Sequence, residues 1–261
     1  MIWVNGKKIE QDHFSAGELK IKLFGCGKER MDIVWHYEND AELFTIMCIR
    51  DYYASHKAIL YIPYLPHARM DRVKNPEDVF TLRTFARVIN SMNFERVYVW
   101  DAHSNVGPAL IDRCHDVNAL TWIQEAITQL GYAKENICLF FPDEGAQKRY
   151  GAMFPDYTQA FGIKKRNWET MRIEGYDIIG EENIKDKCVL IVDDICSYGN
   201  TFTHAAGALI TAGAKEVNLY VTHCEDAISK GNIFKDERIN KVFTTGSLVR
   251  SEETNSKLTI V

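Results

Sequence analysis

At 261 residues, 46% of them hydrophobic and 26% charged, the chain has room for one large α/β domain or two smaller ones, each with its own core. Its formal net charge of −5 excludes the broad basic face of a general nucleic-acid binder. Seven cysteines show no CxxC and no zinc-ligand spacing, so a reducing compartment is expected. The N-terminus lacks the long apolar core of a signal peptide, and the apolar runs are only about four to six residues, too short to span a membrane. The expectation is a cytoplasmic protein with neither nucleic-acid nor membrane partners.

In chain order, short β-rich runs alternate with amphipathic stretches. Residues 58–62 read as a strand. Asn75-Pro76-Glu77-Asp78 offers an N-cap, a first-turn proline and two acids, and Val79, Leu82, Phe85, Ala86, Ile89 and Met92 then form one helical face. A strand follows at Arg96–Trp100. Trp122, Ala126, Ile127 and Leu130 mark a helix stopped near Gly131, and Ile137–Phe141 is again a strand. Residues 188–192 show no polar alternation, as in a strand buried on both faces. A helix runs from Thr201 through Leu209 and Ile210 to a C-cap at Gly213, and residues 216–222 form the next strand. Alternating strands and helices predict mostly parallel sheets with helices on both faces, and a domain boundary near residues 118–124.

The densest chemistry lies in Val189-Leu190-Ile191-Val192-Asp193-Asp194-Ile195-Cys196-Ser197-Tyr198-Gly199-Asn200-Thr201. A buried strand ends in adjacent acids, then a small-polar loop, then a helix. Ligands of parallel α/β sheets bind at the carboxyl ends of strands. Loop N–H groups and a helix N-terminus form an anion site, to which Thr201 adds a hydroxyl. The two carboxylates can accept hydrogen bonds from a vicinal diol or hold a hydrated Mg²⁺.

This segment resembles the phosphoribosyl diphosphate (PRPP) motif shared by phosphoribosyltransferases and PRPP synthetases. Other segments, in family order, resemble the synthetases. Phe14-Ser15-Ala16-Gly17-Glu18 is similar to the family's "FSDGE", which contacts adenine from a neighbouring subunit. The stretch Ile62-Pro63-Tyr64, followed by Ala68-Arg69-Met70-Asp71-Arg72, is similar to its "IPY…AR.DR" loop, whose arginines meet the ATP phosphates. Asp101-Ala102-His103 resembles the "D.H" strand end, Pro142-Asp143-Glu144-Gly145 the "PD.G" turn, and Lys164-Lys165-Arg166 the "KRR" start of a catalytic loop.

The resemblance implies two phosphoribosyltransferase-like α/β domains, an ATP-binding one over 1–122 and one carrying the PRPP loop over 123–261, trimmed of the family's first strand–helix unit and last helix. It implies a homo-oligomer, at least a dimer. It further implies transfer of the diphosphate of ATP to the C1 hydroxyl of ribose 5-phosphate. ATP would be held by Phe14, Glu18, Arg69, Asp71 and Arg72. Lys164, Arg166 and His103 would be catalytic, with His103 and Asp143 at Mg²⁺. Asp193, Asp194, Ser197, Tyr198, Gly199, Asn200 and Thr201 would hold the ribose phosphate.

Departures from the family pattern keep alternatives open. Ala16 replaces an aspartate, which removes an adenine contact, and Met70 a glutamine, which weakens another ATP contact. Tyr198 and Asn200 stand in a loop that is commonly "DTGGT". A stacking face and a neutral amide there would suit a larger 5′ substituent, such as that of ADP-ribose, which some relatives use. A type I phosphoribosyltransferase could carry the same loop without needing the Arg69–Arg72 segment. A non-catalytic regulatory relative would lose the loop cations or metal residues, whereas Lys164, Arg166, His103 and Asp143 are all present.

Overall fold

The structure, a computed structural model, describes residues 1–25, 29–166, 173–249 and 255–261, with 164–166 and 173–175 as backbone alone. The chain divides into two units, Met1–Asn118 and Ala119–Val261. The division precedes residue 122 because the helix that opens the second unit packs wholly with it. Ala119, Ile123 and Ala126 are fully buried in that unit's core.

In the first unit the strands are β1 (Ile2–Val4), β2 (Lys7–Lys8), β3 (Gln11–His13), β4 (Leu19–Ile21), β5 (Arg30–Trp35), β6 (Lys57–Ile62), β7 (Arg96–Trp100) and β8 (Cys114–Val117). Its helices are α1 (Ala41–Tyr52), α2 (Thr81–Ser91) and α3 (Val106–Leu110). The sheet order is β2-β1-β5-β6-β7-β8. Strands β5 to β8 pair in parallel, and β1 is antiparallel to both of its neighbours. Strands β3 and β4 form a separate hairpin.

Period-2 alternation decides which face is apolar. Met31, Ile33 and Trp35 of β5, Leu60 and Ile62 of β6, and Val97 and Val99 of β7 are buried with Ile46 and Ile49 of α1 and Leu82, Phe85 and Ile89 of α2. The other face carries a ladder of rings. Tyr61 and Tyr98 stack at 5.1 Å, and Tyr98 and His115 at 5.2 Å.

Residues 75–78 do not cap α2 as the sequence led us to expect. The Asp78 carboxylate accepts the backbone N–H groups of Lys74 (2.9 Å) and Asn75 (2.8 Å), while its own N–H donates to the Asn75 carbonyl (3.0 Å). That closes a local turn, a common alternative use of Asp and Asn. Val79 is consequently 63% exposed, and the helix begins only at Thr81.

The second unit runs α4 (Leu120–Leu130), β9 (Ile137–Phe141), α5 (Glu144–Tyr150), β10 (Thr158–Arg166), β11 (Ile173–Ile179), β12 (Cys188–Cys196), α6 (Asn200–Thr211), β13 (Glu216–Cys224), β14 (Ile239–Thr244) and β15 (Leu258–Ile260). The order is β11-β10-β9-β12-β13-β14-β15, parallel throughout except for the antiparallel pair β10–β11. Alternate residues of β12 feed two cores. Cys188, Leu190 and Val192 pack with α4 and α5, and Val189 and Ile191 with α6. Helices thus cover both faces, and the central strands are apolar without interruption, as parallel strands require.

Gly131 (φ 72°) and Gly213 (φ 90°) end α4 and α6 in the left-handed region, the conformation expected of C-capping glycines. Strands β12 and β13 run beyond residues 192 and 222, to Cys196 and Cys224. Asp193, Asp194 and His223 therefore lie within strands. Among the described residues, no helix is long and apolar enough to cross a membrane.

Candidate active site

Each unit presents one group of the residues singled out above at the carboxyl ends of parallel strands, where such sheets leave their ligand crevices. In the first unit the organising residue is Asp71, on the connection between β6 and α2 and only 5% exposed. Arg72 grips it through two parallel bonds, Nε to Oδ1 at 2.7 Å and Nη2 to Oδ2 at 2.9 Å. Ser104, in the turn after β7, donates its hydroxyl to the same Oδ2 at 2.7 Å.

The Arg72 bonds hold the Asp71 carboxyl down at about 2 against the opposing effect of burial, with Ser104 and the positive fields of Arg72 and His103 adding to them. The two motifs of this unit, 68–72 and 101–104, are therefore tied together by one buried carboxylate. Asp71 serves as the holder of Arg72, whose guanidinium remains largely exposed. Arg69 and His103 are also exposed. Asp101 sits at φ 43° and is 3% exposed, its N–H donating to the Val117 carbonyl at 2.9 Å. This strained strand end turns the chain so that His103 and Ser104 follow on the site side of the bend.

Phe14 and Glu18 lie at the turn of the β3–β4 hairpin. The Phe14 N–H donates to the Glu18 carbonyl (2.9 Å), and the Gly17 N–H to the Phe14 carbonyl (2.8 Å). Phe14 is 55% exposed, with the Lys20 ammonium 5.6 Å from its ring centre. It is not a core aromatic.

In the second unit, β12 delivers the acids, and strand alternation sends them to opposite faces. Asp193 falls on the α6 face with Val189 and Ile191, while its carboxylate accepts the N–H of Asp194 at 3.0 Å. Asp194 falls on the α4–α5 face, 5% exposed, with its Oδ2 3.5 Å from Nη1 of Arg149 on α5.

The chain then turns through Ser197, Tyr198 and Gly199 into α6. Gly199, at φ 82°, is the N-cap. Its carbonyl accepts the N–H groups of Phe202 (3.0 Å) and Thr203 (3.1 Å). The N–H groups of Asn200 and Thr201 lie in the first turn, where helix geometry supplies no internal acceptor and the dipole favours an anion. Tyr198 is 54% exposed, whereas Gly199 is buried.

Asp143 caps α5, its Oδ1 accepting the Ala146 N–H at 3.0 Å. Lys164 and Arg166 belong to strand β10, their backbones paired with Tyr176 and Ile173 of β11. Their side chains lie outside the described residues. His223 is buried, its Nδ1 2.9 Å from the Ser247 hydroxyl, which in turn donates to the Thr222 carbonyl at 3.1 Å. That makes it a structural histidine of the β13 end.

Among the described residues, no set of three or more His, Cys, Asp or Glu side chains is arranged to hold a metal ion alone. His103 of the first unit is exposed and Asp143 of the second caps a helix, so each by itself could offer at most one ligand to a Mg²⁺ that keeps most of its waters and travels on nucleotide phosphates.

Sequence reasoning passed over Arg149 and Ser104. Lys148-Arg149 reads as a solvated basic pair, and Lys148 does make an exposed bridge to Glu144 at 2.9 Å. Only the register of α5 against β12 shows that Arg149 turns inward. Ser104 adjoins His103, and its role depends on the approach of the Asp71 loop.

A central parallel strand ending in two acids, followed by a glycine turn into a helix N-terminus, defines an α/β protein of the phosphoribosyltransferase type. Residues 156–247 match the family model described as "Phosphoribosyl transferase domain". A ribose-phosphate pyrophosphokinase of Pyrococcus abyssi is 27% identical over 97% of this chain and 87% of its own length. One of Thermococcus kodakarensis is 26% identical over 88% of this chain and 83% of its own. The crystal structure of phosphoribosylpyrophosphate synthetase from Mycobacterium smegmatis superimposes with a TM-score of 0.77 at 19% identity, covering 97% of this chain and 85% of that one. Along most of its length the chain is thus similar to ribose-phosphate pyrophosphokinases (PRPP synthetases).

Proposed function

We propose that this protein transfers the diphosphate of ATP to the anomeric C1 hydroxyl of ribose 5-phosphate, giving PRPP and AMP. The observation that carries this reading is the continuity of β12, the Ser197–Gly199 turn and α6, which puts carboxylates beside an anion-binding helix end. The pyrophosphokinase relatives align along nearly the whole chain, well beyond the phosphoribosyltransferase segment. A nucleobase phosphoribosyltransferase would need only that segment.

In this reading the loop 197–201 holds the 5-phosphate through backbone N–H groups and the Ser197 and Thr201 hydroxyls. Asp193 accepts hydrogen bonds from the ribose hydroxyls, and Asp194 completes that end of the strand against Arg149. Arg72, fixed by Asp71, and Arg69 meet the triphosphate. Phe14 and Glu18 meet the adenine of a neighbouring subunit, which makes the protein at least a dimer. An exposed hairpin aromatic suits a site completed by a second copy.

The C1 oxygen attacks the β-phosphorus, the bond to the α-phosphate oxygen breaks, and AMP leaves. Charge grows on the phosphoryl oxygens, and in this reading the cations Lys164 and Arg166 would stabilise it. His103 and Asp143 would hold Mg²⁺, which when bound neutralises phosphate charge. The reaction takes place in the cytoplasm, where ATP and Mg²⁺ are available. The test is AMP release from ATP and Mg²⁺ with and without ribose 5-phosphate. AMP that appears only with the sugar supports this reading; pyrophosphate release from PRPP and a base, without AMP formation, would replace it.

A further inference from the structure

The phosphate-loop backbone is clamped by a segment to which no function has yet been attached, the stretch from Glu225 to Ile233 after β13. Three contacts pair the two stretches residue by residue. The Glu225 N–H donates to the Cys196 carbonyl at 2.8 Å, at the point where β12 gives way to the loop. Gly231 then lies against Tyr198 so closely that a β-carbon at 231 would sit 2.0 Å from the Tyr198 carbonyl oxygen and 2.9 Å from its carbon. Finally, Ile233 fills the space beside Gly199, where a β-carbon would meet Cδ1 of Ile233 at 2.1 Å.

The two glycines differ in kind. Gly199 is required twice over, by φ 82° and by the packing of Ile233. Gly231 has φ −85° and ψ −165°, a conformation open to any residue. Its missing side chain therefore serves the close approach to Tyr198 and nothing in its own backbone. Ile228 and Ile233 are fully buried in the core beneath α6 together with Phe202, so the clamp is anchored to the same hydrophobic cluster as the helix. It cannot drift independently of that core.

We infer that Gly231 and Ile233 are positioning residues for the acceptor phosphate: they hold the 197–199 backbone in the shape that aims its N–H groups, and those of the α6 N-terminus, at a single anion. Neither residue touches the substrate. The inference rests on the reading of 197–201 as the ribose-phosphate loop. It adds that the loop's shape is imposed from outside by the post-β13 segment, which lets Tyr198 and Asn200 stand where smaller residues are common. A preorganised anion site loses affinity steeply when its donors move, since displacements of about 1 Å can reduce rates by about 100-fold.

Steady-state kinetics of Gly231→Ala give the test. A side chain at 231 must push the Tyr198 carbonyl aside, so KM for ribose 5-phosphate should rise at least about tenfold, while KM for ATP stays within about twofold. Direct binding of ribose 5-phosphate by calorimetry should weaken in parallel. A folded variant with unchanged ribose 5-phosphate KM overturns the inference, as does one in which both KM values rise alike while kcat falls, the mark of general damage. Should Gly231→Ala not fold, Ile233→Ala carries the same test, with the same selective rise expected and the same outcomes opposing it. Failure of the underlying reading looks different: the unmodified protein would then neither bind ribose 5-phosphate nor release AMP in its presence.

Discussion

Arg149 of α5 reaches across to Asp194 of β12, Nη1 to Oδ2 at 3.5 Å, with both side chains mostly withdrawn from water. The pair joins the helix capped by Asp143 to the strand that carries Asp193, the acid proposed to bind ribose. Removing the cation would take a charge partner from a buried carboxylate, which is more damaging than losing a surface bridge. Arg149→Ala should lower stability by about 3 kcal/mol in denaturant unfolding, and Arg149→Lys by less. Asp193→Asn should behave differently, because Asp193 projects to the other face. It should leave stability near normal and raise KM for ribose 5-phosphate by about 10- to 100-fold, through loss of charge-assisted hydrogen bonds. Equal effects of the two substitutions on stability would refute the division of labour between adjacent acids.

Asp71 predicts a pH dependence. Its folded carboxyl lies at about 2 against an ordinary 3.8, held there chiefly by the Arg72 bonds. The native state therefore binds this proton more weakly than the unfolded chain. The resulting stabilisation is complete above about pH 4 and is lost as pH falls toward about 2. Because Arg72 is largely exposed, a contribution of about 1–2 kcal/mol is expected. Asp71→Asn should remove that much stability at neutral pH and flatten the stability profile between about pH 4 and 2. An unchanged acid slope would mean that the carboxylate is not held in this way.

The parallel-sheet framework was legible in the sequence because its signals are local. Uninterrupted apolar runs such as 188–192, and helix stops at Gly131 and Gly213, follow from burial and from φ. Element ends were less legible. The extension of β12 through Asp193 to Cys196 depends on pairing with β13, through Asp193 with Val221 and Ile195 with His223. The false helix start at Asn75 arose because Asp78 can satisfy either a helix cap or a local turn, and tertiary packing chose the turn. Within the candidate site, the residues expected to meet ligand could be named from motifs. Those that hold them (Ser104, Arg149, Gly231, Ile233) could not, because each acts across a contact distant in sequence.

Lys164→Ala should reduce kcat by about 100- to 1,000-fold while changing KM for ATP much less, since a cation aimed at developing charge acts mainly in the transition state. The backbone of Lys164 is paired in β10, so the substitution should leave the thermal midpoint nearly unchanged. Turnover close to that of the unmodified protein would remove Lys164 from the mechanism.

The acceptor itself is the last quantity to test. Tyr198 is 54% exposed, so its ring is available to stack on a larger 5′ substituent. The clamp, however, acts on backbone atoms: the Tyr198 carbonyl against Gly231 and the Gly199 α-carbon against Ile233. A loop fixed in this way does not depend on the side chains at 198 and 200 for its shape. We therefore expect kcat/KM for ribose 5-phosphate to exceed that for ADP-ribose, and the preference to survive Tyr198→Thr combined with Asn200→Gly. Thin-layer separation of labelled products distinguishes PRPP from a nucleotide-capped diphosphate. If ADP-ribose proved the better acceptor, and the double substitution reversed that order, the tyrosine and asparagine would be specificity elements, and the diphosphate would be delivered to a dinucleotide-sized sugar.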